Sequence, residues 1–179
     1  MLKPFSGNIV FWDTEFSSSD PYKSEIISLG MVKYTGEELY FELEVPEYTS
    51  NWVKEVVLPM LKDEKISRDD AKIKIDEFLG DTKPYLMADW DKFDVTCLYK
   101  LYNLGEQNPK DMKWAWNSVD FRSLLFTLGI DPSRMGTTHE NNLYQELGVN
   151  YKGYRDHHAL DDAKLLREVY LQLEKRENK

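Results

Sequence analysis

The chain has 179 residues, 41% hydrophobic and 13% aromatic, with 23 basic and 32 acidic side chains giving a net charge of −9. That is the length of one ordinary domain with enough apolar material for a packed core, which excludes a disordered chain, and no repeat divides it. The single Cys97 excludes an intrachain disulfide framework and a cysteine-built zinc site, and no apolar run approaches the roughly 18 residues of a membrane span.

The elements follow in chain order. Asn8–Trp12 is a buried strand that runs into Asp13-Thr14-Glu15-Phe16 and then a polar loop at Ser17–Pro21. Glu25–Tyr34 is a second strand, and a turn at Thr35-Gly36-Glu37 leads to a third over Leu39–Val45. In that third strand Leu39, Phe41, Leu43 and Val45 alternate with Tyr40, Glu42 and Glu44, which predicts an antiparallel meander with one wetter face. Asn51–Met60 reads as helical. Ser67 caps a helix to about Leu79, with Ala71, Ile75, Phe78 and Leu79 inward and Gly80 as its stop. Tyr85–Ala88 is a short strand, followed by a helix over Asp91–Leu104 that Gly105 closes. A strand is expected near Trp114–Trp116, helices near Val119–Leu128 and Glu140–Leu147, and a last helix over about His158–Glu174. A meander followed by helices alternating with short strands indicates an α/β fold with a mixed sheet, in one domain over residues 1–179.

Charge narrows the function. A protein that coats duplexes by neutralising phosphates should be basic, so that mode is disfavoured. Carboxylates gathered around divalent cations would instead supply positive charge locally. Asp13 and Glu15, two apart at a strand end, point the same way and offer the oxygen ligands that magnesium prefers. In the last helix Ala159, Ala163, Leu166, Tyr170 and Leu173 form the inward stripe. Asp162 borders it, whereas Asp161 leads to Leu165, Glu168 and Gln172, a mostly wet face. Asp162 is therefore the inward carboxylate, which needs a partner such as a metal; an ordinary first-turn Asp at the helix dipole is the alternative. Asp94 also borders an inward stripe, or else sits at the third position of a helix that Asp91 caps. His157 and His158 precede the last helix, where a near-neutral imidazole suits a general base, while His139 reads as surface.

The ordered series Asp13-x-Glu15, Phe93-Asp94 and His157-His158-Ala159-Leu160-Asp161-Asp162-Ala163 resembles the DEDDh group of 3′-5′ exonucleases, which includes ribonuclease T and oligoribonuclease. Phe11–Phe16, Ile26–Gly30, Trp52-Val53 and Val57-Leu58-Pro59 are similar to a small mycobacterial-type exoribonuclease family. The resemblance implies a ribonuclease H-like mixed sheet, an antiparallel meander followed by parallel strands, flanked by helices. It implies two divalent cations, Mg2+ or Mn2+, held by Asp13, Glu15, Asp94 and Asp162, with Asp13 bridging the two. It also implies His157 as general base, nucleoside 5′-monophosphates as products, and single-stranded RNA 3′ ends as substrate. DNA as substrate, a non-catalytic binding protein of the same fold, and a phosphodiesterase on small nucleotides are the competing readings. In many relatives an Asn stands four residues before the second-motif Asp, where this chain has Trp90. Phe16 either stacks on the terminal nucleotide or packs in the core. Lys152 and Arg155 either meet phosphates or stay solvated. By likeness to ribonuclease T, exposed tryptophans would serve a homodimer. The N-terminal Met1–Ser6 has no apolar leader, so a cytoplasmic location is expected.

Overall fold

The computed structural model describes residues 4–104, 108–136 and 140–177, so the readings of Gly105 and His139 lie outside the described residues. Among the described residues, six strands form one sheet in the order β4-β3-β2-β1-β5-β6. They are β1 Ile9–Phe16, β2 Ile26–Lys33, β3 Glu38–Leu43, β4 Lys65–Ile66, β5 Tyr85–Ala88 and β6 Val119–Asp120. The meander β1-β2-β3 is antiparallel, while β5 runs parallel to β1, β6 to β5 and β4 to β3. The described residues add five α-helices: α1 Arg68–Leu79, α2 Asp91–Leu101, α3 Phe121–Thr127, α4 Leu143–Leu147 and α5 Ala159–Glu177. This is the mixed α/β fold that the motifs implied.

Strand alternation sorts the core into two layers. Val10 and Trp12 of β1 point to α1 and α2, packing with Ala71, Ile75, Cys97 and Leu98. Ile9 and Phe11 point the other way, to α3, α4 and α5, packing with Phe121, Leu143, Leu166 and Tyr170. The stripe of α5 read from the sequence is buried along its whole length, from Ala159 to Leu173. Ser67 caps α1 as expected, accepting a hydrogen bond from the Asp70 N–H.

Several elements differ from the sequence reading. The meander is wetter only at the start of β3, where Glu38 is exposed and Leu39 and Tyr40 are half-buried; β2 is buried on both sides because α5 covers one and α1 and α2 the other. Glu42, expected at the surface, is 1% exposed and ion-paired with Lys65, and it accepts from the Tyr40 hydroxyl and the Lys62 N–H. Asn51–Met60 is a π-helical turn at Val53–Val57 followed by a 3-10 turn at Leu58–Met60, which Pro59 shortens. No strand forms at Trp114–Trp116. Trp114 is instead buried edge-on against Tyr102, and the parallel strand is Val119–Asp120, directly before α3. The two-residue β4 was not anticipated. Among the described residues, no helix is long and apolar enough to cross a membrane.

Candidate metal centre

The alternation that sorts the core also aims the acids. Past Phe11, the next side chains on the α5 side of β1 are Asp13 and Glu15, whereas Thr14 falls on the α2 side. A β-bulge between Glu15 and Phe16 ends the regular pairing with β2 and bends the strand where the carboxylates emerge. Gly30 of β2 lies opposite Asp13 in the register. A Cβ there would stand 2.3 Å from Leu160 Cα, so only glycine admits the start of α5 this close. Asp162 thereby reaches β1, and oxygens of Asp13, Glu15 and Asp162 lie within 4.8 Å of one another.

Asp94 joins from α2. Its Oδ1 accepts from the Thr14 N–H at 2.9 Å and from the Thr14 hydroxyl at 2.6 Å, so the strand residue between Asp13 and Glu15 orients a fourth carboxylate, which lies outside the group of three that share the 4.8 Å spacing. Asp91 does not cap α2 through its side chain; the capping position is Trp90, which makes no side-chain cap bond. Each of the four acids is held toward its protonated form, first by burial. The Asp13 carboxyl is also raised by the charges of Asp94, Asp162, Glu15 and Asp89. Glu15 is pushed up to about 8 by burial, Asp162 and Asp94. Asp162 rises to about 7, with Asp156 and Asp161 as the leading charges. Asp94 rises to about 6, its desolvation partly offset by the Thr14 hydrogen bonds. Converging carboxylates that repel one another in this way fit divalent cations with oxygen preference, which remove the repulsion and take several carboxylate oxygens at once.

The structure adds a carboxylate that sequence reasoning missed. Asp89 follows Ala88 at the end of β5, which is parallel to β1, and it lines a cavity of about 170 Å³ with Asp13, Tyr144 and Asp162. Its signal was available: an acid directly after a buried strand, the same placement as Asp13. Arg122 holds Asp89 by a two-nitrogen contact, with Nη2 donating to Oδ2 at 2.8 Å.

His157 stands apart from the acidic cluster. It is exposed at the start of α5, in a left-handed backbone conformation with φ +58°, and its ring meets Trp52 edge-on at 5.0 Å. His158 is buried and stacks on Tyr40 at 4.5 Å; burial and then the Arg155 charge lower its pKa. Asp161 is also buried, against the reading from periodicity. Helical spacing takes no account of the preceding loop, which folds back so that Arg155 covers this carboxylate. Burial alone would raise the Asp161 pKa, yet the Arg155 hydrogen bonds bring it below the usual range. Phe16 is half-buried and stacked on Phe93 at 5.1 Å. Of the tryptophans, Trp52, Trp90 and Trp116 are exposed, while Trp12 and Trp114 are buried.

Comparison with known proteins places the fold. No protein-family model matches the chain, and no curated protein matches it in sequence. Among solved structures, cell-death related nuclease 4 (CRN-4) is similar over 94% of this chain and 64% of its own, with TM-score 0.65 and 15% identity. The zinc-bound E. coli ExoI–ssDNA complex is similar over 96% of this chain and 41% of that one, with TM-score 0.65 and 14% identity. A chain of the yeast NOT1 MIF4G domain–CAF1 co-crystal is similar over 96% and 80%, with TM-score 0.62 and 12% identity. The chain thus spans less than two thirds of the first two. The fold is ribonuclease H-like, shared with nucleases.

Proposed function

We propose that this chain is a metal-dependent 3′-5′ exoribonuclease of the DEDDh group, close to the small mycobacterial-type family, folded as one domain over residues 1–179. It would act in the cytoplasm on single-stranded RNA 3′ ends and release nucleoside 5′-monophosphates. The observation that carries this reading is the convergence of Asp13, Glu15 and Asp162 at the end of β1, with Asp94 fixed to the intervening Thr14. Likeness in fold to a nuclease, and to ExoI captured with single-stranded DNA, supports it.

Asp13, Glu15, Asp94 and Asp162 would hold two Mg2+ or Mn2+ ions, which when bound activate water and neutralise charge on the scissile phosphate. Thr14 keeps Asp94 turned toward that site. His157, on the loop before α5, takes the proton of the attacking water, and Phe16 beside Glu15 borders the terminal nucleotide. The acidic surface is compatible with this because a single-stranded end needs few phosphate contacts. Exposed Trp52, Trp90 and Trp116 are candidates for a homodimer surface. The ssDNA in the ExoI complex favours a second reading, the same chemistry on DNA.

The test uses 5′-labelled single-stranded RNA and DNA of one sequence, with Mg2+ or Mn2+, beside Asp13→Ala and His157→Ala. A ladder shortening from the 3′ end and lost in both variants is expected, with RNA cut faster. Equal or greater rates on DNA would move the assignment to the second reading. No shortening of either strand would leave a binding protein of this fold.

A further inference from the structure

The loop before α5 is closed on itself by one carboxylate. Asp161 Oδ2 accepts from the Arg155 backbone N–H at 3.0 Å and from Arg155 Nε at 2.7 Å, while Nη2 donates to Oδ1 at 3.2 Å. The fork geometry of guanidinium against carboxylate fixes distance and orientation together. Arg155 Nη2 also lies 3.3 Å from Nδ1 of His158, to which the Asp161 N–H donates at 3.4 Å. His158 in turn is stacked on Tyr40, whose hydroxyl donates to Glu42, so the closure is anchored on β3. His157 lies inside this closed segment, and its left-handed φ is one that residues with side chains keep only when their surroundings hold it. Trp52 meets its ring edge-on.

We infer that Arg155 and Asp161 are positioning residues for His157: their bidentate closure holds the loop that carries the imidazole in a conformation it would not keep alone. The inference rests on the nuclease reading, with His157 as base. It also assigns Arg155 a role within the fold, in place of a phosphate contact or a merely solvated charge.

Three variants test it: Arg155→Ala, Arg155→Lys and Asp161→Asn, the last keeping an acceptor for the Arg155 N–H. Each is made in the wild type and in His157→Ala, and exonuclease kinetics are measured on one labelled oligonucleotide. Loss of a positioned proton acceptor costs roughly 10²–10⁴-fold, and misplacement a fraction of that. Arg155→Ala should therefore lower kcat about 10–100-fold with KM unchanged, Arg155→Lys should recover little, and neither should reduce activity further in His157→Ala. In the amide hydrogen-exchange pattern of the metal-free protein, protection around residues 155–158 should fall while that of the sheet stays. A raised KM with steep salt dependence would make Arg155 a phosphate contact. A loss repeated in full in the His157→Ala background would place the effect at the cation site. Either result overturns the inference, as does full activity of Arg155→Ala. Wild-type protein that cuts normally while His157→Ala also cuts normally removes the base assignment, and inactive wild type removes the nuclease reading itself; both take the inference with them.

Discussion

Thr14 and Asp94, eighty residues apart, are joined by two hydrogen bonds to one carboxylate oxygen. The backbone bond survives any substitution of Thr14 except proline, but the hydroxyl bond does not. Thr14→Val is nearly isosteric and, on the proposed reading of Asp94 as a cation ligand, should weaken Mn2+ binding and turnover by roughly 10–100-fold, the usual cost of losing a group that orients a metal ligand. Thr14→Ser should retain most of both. Calorimetric titration with Mn2+ checks the first effect and single-turnover cleavage the second; unchanged values in the valine variant would remove the orienting role.

The raised acids set a pH dependence of stability. Folding lifts Glu15 from 4.5 to about 8, Asp162 from 3.8 to about 7 and Asp94 from 3.8 to about 6. A group raised on folding contributes stability that is complete below its unfolded pKa and is lost as pH climbs through the folded value. The metal-free protein should therefore lose thermal stability from about pH 4 to about pH 8. Mn2+ should restore more as pH rises, because it binds the ionised acids. Melting curves in chelator across this range, with Asp13→Asn flattening the slope, provide the check. A metal-free Tm that rises over the same window would contradict the repulsive cluster.

Gly30→Ala should be costly despite its small size. The added Cβ meets backbone atoms of Ala159 and Leu160, which cannot rotate away. Overpacking costs of roughly 1–3 kcal/mol are typical, and the upper end is expected in denaturant unfolding. Cleavage should fall as well, because relief of the clash moves α5 and Asp162 away from Asp13. A variant with wild-type stability would mean that the helix start yields easily.

Arg122→Met should leave Asp89 without its partner, beside Asp13. An unsatisfied partner of this kind costs about 1–3 kcal/mol, and the loss should be larger in chelator than with Mn2+. Adding Asp89→Asn should recover most of it, since the amide carries no charge to strand. Tm values for the single and double variants decide the matter.

The legible part of this molecule was what repeats. The five-residue stripe of α5 and the Ser67 cap report on local periodicity and capping chemistry, which a sequence carries openly. β4 and β6 have two residues each, too short for any alternation to register, and the aromatic Trp114–Trp116 was the more strand-like segment although its role is packing against Tyr102. Glu42 and Asp161 were expected to be wet because their partners, Lys65 and Arg155, come from outside the element in which each acid sits. Within the site, Asp13, Glu15 and Asp162 were legible as inward or paired acids, and the structure brings them together. Asp94 reads from the sequence either as a helix-start residue or as an inward acid, and its partner Thr14, eighty residues away, leaves no local pattern that would show their contact. Asp89 had a signal that was not used.

The docking of α5 onto β1 and β2 through the Gly30 gap has a consequence for how the centre comes into being. Synthesis delivers Asp13 and Glu15 first, Asp94 about eighty residues later, and Asp162 only with the start of α5. Until that helix has emerged and seated against glycine, a nascent chain holds an incomplete set of acids, so the proposed cation site would be complete only once α5 has docked. On the proposed nuclease reading, a chain that has not yet made α5 would leave the transcripts around it uncut.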